Sequence, residues 1–182
     1  NDVTLPTMQE IERARACLEF VQEISPNDAF MLNRAETNLK LLNIFETLQI
    51  ESYARLPDAV RQLKTIINNQ KDAAYTHNTL SALYQKLYKL NKAKKSASIA
   101  ASRIPDWVAP KINMGKVYFS QGKYAQSMHK YREVIELEPK NYKGYLHLAK
   151  VYAFLGRTDS AMIFTEKACR LMPQSSKVFA LA

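Results

Sequence analysis

The chain of 182 residues is 47% hydrophobic and 24% charged, so it can bury the core of one ordinary domain or one short solenoid, and intrinsic disorder is excluded. Four glycines are too few for a protein of many strands and tight turns, and this composition favours helices. The net charge of +9 points to an acidic partner or surface, while no apolar run approaches the length that spans a membrane.

Two cysteines, Cys17 and Cys169, lie near opposite ends of the chain. In an extended solenoid they would be too far apart to form a disulfide, so we expect two buried free thiols. The lack of a disulfide framework mildly favours a reducing, cytoplasmic location. An exported or periplasmic location stays open, because a chain that starts at Asn1 has the look of a processed or excised piece.

The first predicted helix covers residues 8–24, where Ile11 and Leu18 belong to one apolar stripe at helical spacing. Pro26 ends this helix, and Asp28 can cap the next one. We therefore predict that a second helix starts close behind the first.

Residues 29–71 are the least regular part of the chain. The stretch 43–51 contains neither Gly nor Pro, so we favour one long helix over residues 29–50. The alternative is a helix of ordinary length followed by a long loop. Pro57 then starts another helix, which is predicted for residues 57–69.

Two stretches in the second half of the chain repeat each other. The first carries a small residue, a tyrosine, a glycine and a proline in that order, and the second carries the same types 34 residues later. The matched pairs are Gly115 and Ala149, Tyr118 and Tyr152, Gly122 and Gly156, and Pro139 and Pro173. A fixed period of this length indicates stacked helix–turn–helix units, none of which can bury its apolar face alone.

Residues 72–105 keep the same frame, since Pro105 lies 34 residues before Pro139. The turn at residues 89–92 contains no glycine, so we expect Asn91 to take the left-handed backbone conformation there. The helices predicted for this half of the chain cover residues 74–89, 92–102, 108–121, 124–137, 142–155 and 158–171.

The repeated pattern resembles that of the tetratricopeptide-repeat (TPR) family. The clearest unit supplies the residue types expected at the family's fixed positions, namely Tyr145, Leu148, Ala149, Tyr152, Gly156, Ala161, Ala168 and Pro173. The resemblance implies an all-α, right-handed α-solenoid, a superhelix of antiparallel helix pairs, in a single domain over residues 1–182. Its parts would be a half repeat (8–26), an elongated repeat (29–71), regular repeats (72–105, 108–141 and 142–175) and the start of a truncated repeat (176–182).

No residues arranged for catalysis stand out. His77, His129 and His147 fall in three different repeats. The sequence also lacks the His-Glu-x-x-His, Cys-x-x-Cys and Gly-x-x-x-x-Gly-Lys motifs of metal, redox and phosphate-binding sites. We predict a non-enzymatic protein with no cofactor and no metal site.

The resemblance implies a binding surface, because the first helices of successive repeats line a concave groove in this family. The positions that face the groove are occupied here by Tyr75, Asn78, Gln85, Lys86, Ile112, Asn113, Lys116, Phe119, Lys143, Leu146, His147, Lys150 and Phe154. Lys116 and Lys150 are one period apart, so they should stand in register as a cationic stripe. Basic heads beside apolar side chains suit a protein partner that offers an acidic, extended segment with one or two apolar anchors.

Some members of the family clamp a C-terminal carboxylate in this groove, and the sequence matches that clamp in part. Asn113 and Lys143 occupy two of its positions. Asn78, Ala82 and His147 stand where Lys, Asn and Arg would be expected. The sequence therefore departs from the recognition of a chaperone tail at most of the clamp positions.

A second basic cluster surrounds one helix–helix turn and consists of Lys86, Lys89, Lys92, Lys94 and Lys95. It is either a solvated turn or a docking patch for an anionic surface or polymer. The alternative to a protein partner is therefore a binder of nucleic acid or acidic polysaccharide.

Nucleic acid is the less favoured of these partners. A base code needs the same kind of side chain at matching positions, whereas Asn78, Ile112 and Leu146 differ in type. Two further alternatives are an adaptor region of a larger enzyme or of a secretion or assembly complex, and a homodimer formed through the terminal helices.

Overall fold

The computed structural model describes residues 8–24, 29–50, 55–69 and 73–172, and these residues form helices joined by turns. The helices are α1 (Met8–Ile24), α2 (Ala29–Ile50), α3 (Leu56–Asn69), α4 (Ala74–Lys86), α5 (Leu90–Arg103), α6 (Val108–Ser120), α7 (Tyr124–Leu137), α8 (Tyr142–Phe154) and α9 (Thr158–Leu171). None of the described residues belongs to a strand. The predicted all-α fold class is confirmed.

The observed helix bounds follow the predicted ones closely. Helix α2 continues as one helix to Ile50, which is the long-helix alternative, although residues 51–54 lie outside the described residues. The largest differences are at the α4–α5 turn, since α4 ends at Lys86 and α5 already begins at Leu90. The predicted boundaries at Pro26 and Pro173, and the further repeat over residues 176–182, also lie outside the described residues.

The chain divides into two compact units, residues 1–76 and 77–182. In the first unit, α2 packs against both α1 and α3. Its buried apolar residues come from all three helices and include Ile11, Ala35, Leu41, Ile44, Ala59, Leu63 and Ile66. In addition, Arg15 on α1 donates from Nη1 to Asn43 Oδ1 on α2 at 2.9 Å.

The second unit is a stack of antiparallel helix pairs. Each helix from α5 to α9 packs on the next one along the chain, and α6 also contacts α8 directly. The largest core cluster comprises Val108, Ile112, Tyr131, Val134, Leu148, Val151, Tyr152 and Ala161. Because this core draws on four successive helices, no single helix pair could bury it, as the repeat period predicts.

Glycine is required at Gly115, where α6 and α7 approach closely. A Cβ atom added to Gly115 would lie 2.5 Å from Tyr131 Cε1, which is closer than any stable contact. Ser127 on α7 donates from Oγ to the Gly115 carbonyl oxygen at 2.8 Å. The small residue in this repeat position therefore makes room for a large ring on the neighbouring helix.

The three turns between first and second helices share one backbone geometry. The N–H groups of Lys89, Lys123 and Arg157 donate to the carbonyl oxygens of Tyr84, Tyr118 and Tyr152 at 2.8, 2.8 and 2.9 Å. This bond reaches back over the end of the first helix, as in the usual C-terminal capping motif.

The left-handed residue of each turn is Tyr88, Gly122 or Gly156, with φ of 54°, 73° and 70°. The prediction that Asn91 adopts this conformation is wrong. The 34-residue period places Tyr88, and not Asn91, at the position that glycine holds in the other two turns.

Both cysteines are free, as expected, but Cys17 and Cys169 are exposed rather than buried. Each lies on the solvent side of its helix, whereas Ile11 on α1 and Ala168 on α9 supply the buried side. Within the described residues, no helix is both long enough and apolar enough to cross a membrane.

Candidate functional site

The first helices of the second unit lie side by side. Asn113 on α6 donates from Nδ2 to Asn78 Oδ1 on α4 at 2.8 Å, and Gln85 on α4 donates from Nε2 to the Asn113 carbonyl oxygen at 3.3 Å. Helix α6 in turn contacts α8. We call the surface formed by residues 77–86, α6 and α8 the first-helix face.

Amide side chains order this face from within. Asn78, Gln85 and Asn113 are all half-buried and all take part in the hydrogen bonds between α4 and α6. These bonds hold the two helices in register, because each amide group has a fixed donor and acceptor side. The predicted site residues Asn78, Gln85 and Asn113 are therefore brought together as a scaffold for the face.

The predicted cations occupy the outer part of the face. Lys143 and Lys150 are exposed, whereas Lys86 and Lys116 are half-buried. Lys116 on α6 and Lys150 on α8 hold equivalent positions on neighbouring first helices. A half-buried lysine stem covers apolar surface while its ammonium group reaches water, so the row can contribute both contact and charge.

Two predicted site residues belong to the core instead. Ile112 is 7% exposed and lies in the main core cluster. His147 is 8% exposed, and its ring stacks on Tyr131 with the centroids 5.1 Å apart. Because α8 packs between α7 and α9, positions on its flank are covered, which leaves little of either side chain for a ligand.

Aromatic rings meet at one end of the first-helix face. Phe119 lies 5.3 Å from Phe154 and 5.6 Å from Tyr124, and Tyr124 lies 5.1 Å from Phe154, measured between ring centroids. Phe154 nevertheless remains 62% exposed. We call these three residues the aromatic triad.

The sequence interpretation placed Phe119 and Phe154 at the site and assigned Tyr124 to the apolar stripe of α7. The signal for Tyr124 was its position directly after the Gly122 turn, which returns α7 to the end of α6. Of the other predicted residues, Leu146 is half-buried on α8. Tyr75 is exposed and belongs to the first unit.

A buried carboxylate links α6 and α7. Glu133 Oε1 lies 2.5 Å from Lys130 Nζ, and Glu133 Oε2 lies 3.6 Å from Lys111 Nζ on α6. Burial raises the pKa of the Glu133 carboxyl, but the hydrogen bond from Lys130 and the neighbouring positive charges outweigh burial and hold the pKa below its usual value. Glu133 therefore stays ionised and structural at neutral pH.

His77 on α4 is the other perturbed group. Burial and the charge of Arg103 lower its pKa, and its Nδ1 atom has no hydrogen-bond partner. Over the described part of the chain, no group of three or more His, Cys, Asp or Glu side chains is arranged to hold a metal ion.

A separate cavity of about 470 Å³ lies in the first unit, between α2 and α3. Its lining includes Asn33, Glu36, Thr37, Lys40 and Asn43 from α2 and Gln62 and Thr65 from α3. Sequence reasoning missed this cavity, because the polar spacing along α2 was interpreted only as the exposed side of a long helix.

Two repeat profiles match the second unit. Residues 115–156 match a profile described as TPR repeat, and residues 142–175 match one described as tetratricopeptide repeat. Together the matches cover the two units that are clearest in the sequence.

Two curated proteins are similar to much of the chain. Tetratricopeptide repeat protein 8 of Caenorhabditis elegans is 26% identical over 124 residues, which is 68% of this chain and 24% of that protein. A UDP-N-acetylglucosamine–peptide N-acetylglucosaminyltransferase of Giardia intestinalis is 27% identical over 143 residues, which is 79% of this chain and 9% of that protein. The chain thus spans a quarter or less of either relative.

Solved structures share the fold. The crystal structure of MamA superposes with a TM-score of 0.64 at 18% identity and covers 93% of this chain and 92% of that one. The second TPR of Spaghetti (RPAP3), bound to an HSP90 peptide, gives a TM-score of 0.52 at 18% identity over 56% of this chain and 94% of that one. On its two repeat matches, its TPR-named relative and its shared fold, the chain belongs to the tetratricopeptide-repeat family.

Proposed function

We propose that this protein is a non-enzymatic interaction scaffold whose first-helix face binds an extended protein segment that is acidic and carries one or two apolar anchors. The observation that carries the proposal is the register of Lys116 and Lys150 on two first helices in direct contact. Three lysines on one face, with Lys143 as the third, raise the local potential and accelerate encounter with an anionic segment.

The aromatic triad supplies the apolar part of the proposed site. Phe154 presents a largely exposed ring at the end of the face, one helical turn beyond Lys150. An exposed ring held by two neighbouring rings is a rigid contact for a leucine or methionine side chain, because little conformational entropy is lost on binding.

A solved relative in fold supports the peptide as the class of ligand. RPAP3 is seen with an HSP90 peptide on repeats of this kind. The present chain keeps Asn113 and Lys143 of the carboxylate clamp but has Asn78 and a buried His147 at other clamp positions. We therefore propose an internal acidic segment as the ligand and not a free C-terminus.

The test is a binding titration of fluorescent acidic peptides that contain leucine or methionine. Lys116→Glu together with Lys150→Glu should weaken binding at least about tenfold, since like charges across an interface repel. The matched control is Lys92→Glu together with Lys95→Glu, two exposed lysines on α5. Equal loss in both variants, or loss in the control alone, would place the peptide elsewhere, and circular dichroism verifies that both variants fold.

A second candidate function is that of an adaptor region within a longer enzyme. One relative is named as a glycosyltransferase, and the match covers only 9% of it. In that case the same face would bind a protein substrate, and the peptide titration would have the same outcome. An assay for glycosyl transfer on a bound peptide, with the full-length protein, separates the two functions.

A further inference from the structure

The three turns after the first helices form one continuous edge of the second unit. Gln121 in the second turn donates from Nε2 to Asn91 Oδ1, just after the first turn, at 3.3 Å. Tyr124, just after the second turn, packs on Phe154, just before the third. We call this surface, residues 86–95, 119–124 and 154–159, the turn edge.

A basic residue holds the same position in each turn of this edge. Lys89, Lys123 and Arg157 are 34 residues apart, and each directly precedes a second helix. Their φ angles are −86°, −89° and −89°, and their ψ angles are 60°, 64° and 72°. Since packed helices lie about 8–10 Å apart, the backbone sets the three cations in an evenly spaced row.

Nothing on this edge cancels the row. All three side chains are exposed, and none forms an ion pair with a carboxylate in the described ranges of the chain. Between residues 73 and 132 the only acidic residue is Asp106, which lies in the α5–α6 connection at the opposite edge. Asp159 is the single acid of the turn edge itself.

Apolar side chains project from the same edge. Tyr88 is 87% exposed, and Phe154 and the neighbouring Leu155 are exposed as well. Tyr88 also holds a positive φ in a position where the other two turns have glycine. A residue kept in a strained conformation with its ring in water points to a use for that ring.

We propose that the turn edge docks onto the surface of an anionic phospholipid bilayer, with Lys89, Lys123 and Arg157 against the headgroups. Tyr88, Phe154 and Leu155 then enter the interface between headgroups and acyl chains, where aromatic and apolar side chains are favoured. Each cation near such a surface strengthens binding roughly fivefold.

The geometry favours a bilayer over the other anionic partners. Single-stranded nucleic acid stacks its bases on open ring faces, whereas Phe119, Tyr124 and Phe154 pack on one another. An extended peptide needs a groove or a strand edge, and the turn edge offers a ridge of three tight turns. A ridge of cations with apolar tips matches a broad, flat, negatively charged surface.

The experiment is co-sedimentation of the 182-residue chain with vesicles of phosphatidylcholine, with and without phosphatidylserine. We expect binding only to the vesicles with phosphatidylserine. Changing Lys89, Lys123 and Arg157 together to Gln should weaken this binding about a hundredfold. The matched control is Lys140→Gln with Lys167→Gln and Arg170→Gln, which removes the same charge from exposed positions at the opposite ends of the helices.

Three results would overturn the proposal. One is that the chain does not bind phosphatidylserine vesicles. Another is that the control variant loses as much affinity as the turn-edge variant, since this would show that net charge alone drives adsorption. The third is that single-stranded DNA or polyglutamate binds the turn edge and vesicles do not.

Discussion

At the scale of single residues, Tyr88 combines an exposed ring with a backbone conformation that suits glycine. Its φ of 54° places the Cβ atom against its own backbone, which costs a residue with a side chain about 1 kcal/mol. Tyr88→Gly should therefore raise the free energy of unfolding by about 1 kcal/mol in urea denaturation.

Tyr88→Ala is the control for this prediction, because alanine keeps the Cβ atom and removes the ring. We expect alanine to give little or no gain in stability. If glycine were no more stabilising than alanine, the strain at this position would be negligible, and the ring rather than the backbone would determine stability there.

At the scale of helices, the ion cluster around Glu133 ties α6 to α7. The Glu133 side chain is 21% exposed and that of Lys111 is 16% exposed, so the pair is partly shielded from water. Because the pKa of Glu133 is lowered on folding, its charge stabilises the fold above the unfolded-state pKa, near 4.5. This stabilisation is lost as the pH falls through the lower, folded-state pKa.

Glu133→Gln should therefore lower the free energy of unfolding by about 1 kcal/mol at pH 7. The difference from the wild-type chain should shrink as the pH falls below 4.5. Urea midpoints measured across this range give the result, with Glu136→Gln, an exposed carboxylate on the same helix, as the control. A difference that stays constant down to low pH would show that Glu133 acts through packing and not through its charge.

The helices were the part of the structure that sequence could predict. A 34-residue period fixes where each helix starts and ends, because capping and apolar spacing recur with it. The period also contained the correct position of the left-handed residue at Tyr88, where composition alone suggested Asn91. Local chemistry was therefore a poorer guide than the repeat frame.

The candidate site was less predictable, because burial depends on neighbouring helices. The positions of Ile112 and His147 face the groove in the family pattern, yet both side chains are covered here. The stacking of His147 on Tyr131 requires the Tyr131 ring, which in turn requires the missing side chain at Gly115. Such linked choices are visible only when the helices are packed.

At the scale of the whole molecule, charge and surface are unevenly distributed along the chain. The stretch from residue 73 to residue 132 holds a single acid, Asp106, so much of the net charge of +9 is concentrated there. The second unit presents that charge on two distinct surfaces, the first-helix face and the turn edge. The first unit has a cavity of its own between α2 and α3.

The most direct test of the proposed function is a nuclear magnetic resonance titration of the isotope-labelled chain with an acidic peptide that contains leucine. We predict that the amide signals of Lys116, Leu146 and Lys150 shift on binding. These shifts should weaken in 1 M salt, where the Debye length falls to about 3 Å. Shifts confined to the α2–α3 cavity, or to Lys89 and Arg157 on the turn edge, would contradict the assignment of peptide binding to the first-helix face.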